Sequence, residues 1–91
     1  MLRIVAYDIA SPRRLARIAK TCLDYGIRIE KSVFECDLRS DQFEMLWESL
    51  KKLANEEADY LVAYPICSEC ERKIEIYGRS RHLEPSDIRV F

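Results

Sequence analysis

The stretch Ile27-Arg28-Ile29-Glu30-Lys31-Ser32-Val33-Phe34-Glu35-Cys36-Asp37-Leu38 decides how this chain folds. Side chains alternate along its second half. Phe34, Cys36 and Leu38 share one face; Val33, Glu35 and Asp37 share the other. The whole stretch is long for one strand, which commonly runs about 5–6 residues. The alternative is two strands joined by a tight turn near Glu30-Lys31-Ser32. No Asn-Gly or Asp-Gly marks that turn, so the pattern leaves both readings open.

Working outward toward the N-terminus, Leu2 to Tyr7 is apolar except for Arg3 and reads as a central strand buried on both faces. Ser11-Pro12 marks a helix start, with serine as cap and proline at the first helical position. Leu15, Ile18, Ala19 and Cys22 recur at helical spacing and predict its buried face. Tyr25-Gly26 ends the helix, glycine being suited to a left-handed cap. Toward the C-terminus, Asp41 and Glu44 resemble a capping box. Phe43, Leu46, Trp47, Leu50 and Leu53 predict an apolar helical face, and Glu48 and Lys52 a surface ion pair. Asp59 to Ile66 reads as a further strand, with Pro65 near its end. Ile74, Glu75 and Ile76 alternate as a short last strand ended by Gly78. If 27–38 is a hairpin, the order is βαββαβ: an α+β, ferredoxin-like arrangement with an extra C-terminal strand. Both helices then cover one face of an antiparallel sheet and leave the other face for a second subunit.

At 91 residues there is room for one domain, read as 1–80 with a charged tail over 81–91. The composition, 48% hydrophobic and 34% charged, excludes a disordered chain. No apolar run approaches the ~20 residues of a membrane span. The N-terminus carries no secretory signal, so a cytoplasmic location with reduced thiols is expected. A domain this small buries only about 65% of its extended surface, and an oligomer is expected to make up the difference. The net charge is −1, but its distribution is uneven. Residues 1–31 carry seven basic and three acidic side chains, residues 32–62 three basic and eight acidic. One surface is therefore free to be basic while another is acidic.

No GxSxG, HExxH, P-loop or GxGxxG is present, and His82 sits in a polar tail without convergent partners. Asp8 is the candidate for chemistry: a carboxylate at the carboxyl end of the first strand. The blander reading is that it fixes the following turn or helps cap the helix. One Asp makes a poor Mg²⁺ site, but a two-fold dimer supplies a second. Arg13, Arg14, Arg17 and Lys20 on the next helix, with Arg28 beyond it, are candidates to hold phosphates. An ordinary solvated helix face accounts for them equally simply. Tyr7, Phe34, Tyr60 and Tyr64 can stack on bases, although core or interface packing explains aromatics on strands better. Cys22 and Cys36 read as core residues. Cys67-Ser68-Glu69-Cys70 is half a zinc site, completed only by distant ligands or a second copy, or else a loop with spare thiols or a labile disulfide.

Val5-Ala6-Tyr7-Asp8-Ile9, Arg13-Arg14-Leu15, Tyr25-Gly26-Ile27-Arg28 and Lys31-Ser32-Val33-Phe34-Glu35-Cys36 together resemble the CRISPR-associated protein two family, the small adaptation protein. Ala63-Tyr64-Pro65-Ile66 and Ile76-Tyr77-Gly78 extend the resemblance over about residues 2–80. Glu30 stands where the family often has Gln. The resemblance implies a ferredoxin-like homodimer with facing sheets and a last strand that crosses to the partner. It implies that Asp8 and its symmetry mate are metal ligand and catalytic residue, with Mg²⁺ as cofactor, in a CRISPR-associated endonuclease or endoribonuclease cleaving RNA or DNA phosphodiesters. It also implies the central dimer of the spacer-integration complex, between copies of the CRISPR-associated protein one integrase and holding double-stranded protospacer DNA. Arg13, Arg14 and Arg28 match basic positions of the family; Arg17 and Lys20 are added from helical spacing. A catalytically inactive DNA-binding scaffold for the integrase is the competing function.

Overall fold

A computed structural model describes residues 1–78. The expected C-terminal tail, His82 included, lies outside the described residues. The chain runs β1 (Leu2–Asp8), α1 (Pro12–Leu23), β2 (Ile27–Glu30), β3 (Val33–Asp37), α2 (Ser40–Leu53), β4 (Tyr60–Ile66) and a short α3 (Ser68–Arg72). The first six elements are the βαββαβ order. They form one antiparallel sheet in the order β2-β3-β1-β4, the ferredoxin-like arrangement. The decisive stretch is thus a hairpin. Lys31 and Ser32 form its loop, and the register shifts between Arg28 and Glu30. No described residue other than Gly78 has positive φ, so the loop is not the usual tight hairpin turn. Its place is held from outside. The Lys31 carbonyl accepts from the Tyr7 hydroxyl at 3.3 Å and from Arg28 Nε and Nη2 at 3.1 and 2.7 Å.

The core lies between the sheet and the two long helices. Val5, Tyr7, Phe34 and Cys36 from the sheet meet Ile18, Cys22, Leu46 and Leu50 from the helices. The Tyr7 and Phe34 rings stack with centroids 6.1 Å apart. Arg3, the one charge inside β1, shares this face and lays its guanidinium 4.2 Å over the Phe43 ring. β1 is central as expected; its core face is buried, while on the opposite face only Leu2, at the strand's start, is buried. Ile4 and Ala6 point to that opposite face and are half-exposed, neither α1 nor α2 covering it.

Helix α1 starts as the sequence predicts. Ser11 Oγ accepts from the Arg14 N–H at 3.3 Å, and Pro12 opens the first turn. Its apolar stripe gives out at the first member, Leu15, which is 40% exposed. The helix ends at Asp24 in right-handed conformation, so Gly26 is no left-handed cap. Its role is close approach: a Cβ there would meet the Glu35 carbonyl oxygen, and Cys36 Sγ at 2.6 Å. Helix α2 starts before Asp41, with Arg39 as cap residue, its N–H donating to Gln42 Oε1 at 3.0 Å. Asp41 instead pairs with the Arg39 guanidinium at 3.2 Å, and Glu48 pairs with Lys51 rather than Lys52.

After β4 the chain departs from expectation. The CxxC loop is helical as α3, and residues 74–77 join no ladder. A strand exists only where a neighbouring backbone satisfies it, and among the described residues the segment has none. Ile74, Ile76 and Tyr77 stand exposed there. No helix among the described residues is long and apolar enough to cross a membrane.

Candidate nucleic-acid site at the end of the first strand

Asp8 is the last residue of β1 and faces Tyr60 in register. Cross-strand partners share a face. Asp8 therefore lies on the uncovered side of the sheet with Ile4 and Ala6 of β1, Val33 of β3, and Tyr60, Val62 and Tyr64 of β4. Tyr60 and Tyr64 are more than half exposed, whereas Tyr7 and Phe34 are buried in the core. Asp8 also opens onto a cleft of about 860 Å³ between the end of β1 and the hairpin, where Arg28, Glu30 and Lys31 join it. Leu15 lines the same cleft, which accounts for its exposure. Asp8 is exposed, and among the described residues no hydrogen bond or ion pair engages its side chain.

The structural role open to Asp8 in the sequence belongs to Asp59. This carboxylate, just ahead of β4, is fully buried as a side chain. Its Oδ1 accepts from the Ala10 N–H at 2.9 Å and from Arg14 Nη2 at 3.0 Å. Its Oδ2 accepts from Arg14 Nε at 2.7 Å and from the Asn55 N–H at 2.8 Å. The turn after Asp8 is thus fixed from across the sheet, and Ser11 caps the helix. The bidentate Arg14 guanidinium holds the Asp59 carboxyl well below the usual carboxylate range, the Ala10 and Asn55 N–H groups helping against burial. Asp59 was not singled out in the sequence. Its partner Arg14 is 45 positions away, and no local pattern announces such a contact.

The basic residues divide into three groups. Arg14 is committed to Asp59. Arg28 lies in the cleft but spends two N–H groups on the Lys31 carbonyl, with its guanidinium 5.4 Å over the Phe34 ring. Arg13, Arg17 and Lys20 are exposed along α1. Asp8 and Arg28 are brought to one cleft; Arg13, Arg17 and Lys20 of α1 do not line it. No group of three or more potential metal ligands occurs among the described residues. For a divalent cation such as Mg²⁺, one chain offers the Asp8 carboxylate as half a donor set. It suits a hard cation in kind and falls short in number. Cys67 and Cys70 are exposed free thiols, while Cys22 and Cys36 are buried.

Comparison with known proteins is consistent with this architecture. Residues 1–74 match the family model described as CRISPR associated protein Cas2. The chain is 40% identical to the CRISPR-associated endoribonuclease Cas2 1 of Chloroflexus aurantiacus, over 99% of both chains. It is 33% identical to the CRISPR-associated endonuclease Cas2 of Halalkalibacterium halodurans over the full length of both. Among solved structures, it superposes on Streptococcus pyogenes Cas2 with a TM-score of 0.75 and 32% identity, covering 86% of this chain and all of that one.

Proposed function

This chain belongs to the CRISPR-associated Cas2 family, and from that premise we propose that it is a Mg²⁺-dependent endonuclease acting on RNA or DNA as a homodimer. The observation that carries the reading is the unengaged Asp8 carboxylate, exposed at the mouth of a cleft that also holds Arg28 and Lys31. A carboxylate that no described residue engages, beside cations, is available for a ligand rather than for the fold. The relatives, an endoribonuclease in one case and an endonuclease in another, agree in nucleic-acid cleavage, and only the first specifies RNA.

The uncovered sheet face supports the dimer. A second copy seated there covers Ile4, Ala6 and Val62 with the exposed Tyr60 and Tyr64, and brings a second Asp8 to the same face. The two Asp8 carboxylates, with water and phosphate oxygens, would give a hard divalent cation the oxygen donors it takes. When bound, Mg²⁺ supplies Lewis acidity beside the scissile phosphate. The chain's own contribution is to position: Asp8 holds the cation, and Arg28 and Lys31 hold phosphate oxygens with their remaining donors. The unpaired segment 74–77 and the edge strand β4 fit the expected exchange of a last strand between subunits.

A second reading is favoured by a different observation. The exposed Arg13, Arg17 and Lys20 lie outside the Asp8 cleft and suit a non-catalytic subunit that holds duplex DNA for the CRISPR-associated protein one integrase during spacer integration. One experiment separates the two. Wild-type protein and Asp8→Ala are purified side by side and assayed on single-stranded RNA and duplex DNA, with Mg²⁺ or with chelator. Cleavage that requires Mg²⁺ and disappears in a folded, dimeric Asp8→Ala establishes the nuclease. Equal cleavage by both proteins, or none by either while duplex binding persists, defeats it; the second of these outcomes leaves the scaffold.

A further inference from the structure

The CxxC after β4 is unused by anything described above. Cys67 follows the last residue of β4, and Cys70 sits one turn on, inside α3. Residues three apart on a helical turn face the same side. The Cys67 sulfur accepts from the Cys70 N–H at 3.5 Å. Both thiols are exposed, so a small reagent reaches them.

We infer that Cys67 and Cys70 form a dithiol modification site that a low-molecular-weight disulfide oxidises reversibly to an intramolecular disulfide. The Cys67 thiolate attacks one sulfur of the small disulfide, whose S–S bond breaks and releases one small thiolate. Cys70, losing its proton, attacks the Cys67 sulfur of the mixed disulfide and releases the second small thiolate. The two protons from the protein end on the two small thiols, so the protein dithiol is oxidised and the small disulfide reduced. The order follows from the contact between the two cysteines: the Cys70 N–H on the Cys67 sulfur favours the Cys67 thiolate and pushes its thiol down, while the neighbouring Cys67 pushes the Cys70 thiol up. The ring closed by the bond is very short, so it restricts the unfolded chain little, and an exposed bond of this kind is readily reduced again. The site lies at the joint between β4 and the exposed segment 74–77, so its two states differ in how firmly the chain is held as it leaves the sheet.

Cys22 and Cys36 are the internal control. Burial pushes their thiols up to about 12 and about 11, and neither is exposed. The native full-length protein is equilibrated with oxidised and reduced glutathione at graded ratios. It is then quenched, alkylated unfolded, cut with trypsin and weighed by mass spectrometry. Cleavage after Lys52 and Arg72 isolates Cys67 and Cys70 from the other two cysteines. The expected result is that this peptide alone loses two hydrogens as the ratio becomes oxidising and regains them on reduction. In Cys70→Ser the mixed disulfide accumulates on Cys67, and Cys67→Ser reacts more slowly. A peptide that stays fully alkylated at every ratio overturns the proposal. So does a wild-type protein that stops at the mixed disulfide or cross-links between chains.

Discussion

Asp59 grips Arg14 through both carboxylate oxygens and, with the same two oxygens, takes the N–H groups of Ala10 and Asn55. One buried side chain thus ties the start of β4 to the turn after Asp8 and to the end of α2. Asp59→Asn keeps the shape but loses the charge that Arg14 requires, so it lowers the thermal midpoint. The pH dependence follows from the sign of the shift. The folded carboxyl titrates below its unfolded value of about 3.9. The unfolded chain therefore binds the proton more readily. The contribution is complete above about pH 4 and is lost as pH falls toward the folded value. Urea midpoints measured across the acid range should fall in wild type below about pH 4 and run flatter in Asp59→Asn.

Arg13 and Arg14 are neighbours in sequence with different occupations. Arg14→Ala breaks the Asp59 grip and should lower the thermal midpoint. Arg13→Ala removes an exposed charge and should leave the midpoint unchanged. If the α1 stripe holds duplex DNA, Arg13→Ala reduces the slope of log affinity against log salt by about 0.9. The check is a salt titration of duplex binding beside a melting curve for each variant. An unchanged slope removes Arg13 from the DNA surface.

Asp8 is expected to matter for chemistry and not for folding. Its side chain has no partner among the described residues, and Ser11 and Asp59 do the capping and turn-fixing around it. Asp8→Ala should melt with wild type while losing more than ~10²-fold in cleavage, beyond what an outer-shell group of a metal site costs. A variant that melts markedly earlier would show that Asp8 supports the turn after all.

Gly26 is required by space. In Gly26→Ala the new methyl meets the Glu35 carbonyl and Cys36 Sγ. The backbone carbonyl cannot swing aside as a side-chain end can. Overpacking of this kind costs about 1–3 kcal/mol, readable as a lower urea midpoint with unchanged slope. A midpoint equal to wild type would mean that β2 moves away without penalty.

Local patterns of the sequence determined β1, the two long helices and β4, the cap of α1, the buried face of α2 and the core placement of Phe34, Cys36 and Cys22, but left the hairpin open and predicted a strand at 74–76 where the described residues form none. Those signals lie within one turn or one strand, where neighbouring side chains share a face. The family resemblance also rested on local strings. Tertiary structure decided the rest. The hairpin lacks turn residues of its own, and its loop is held by Tyr7 and Arg28 on the Lys31 carbonyl. Gly26 reads as a helix stop until β3 is laid against it. Arg13, Arg14, Arg17, Lys20 and Arg28 look alike along the chain, and Asp8 and Asp59 are equally plausible carboxylates. The fold engages Arg14 with Asp59 and leaves Asp8 free at the cleft. The physical reason is distance along the chain. An ion pair between residues 45 positions apart leaves no periodic trace in either segment, and which charge is neutralised is known only when the sheet has closed.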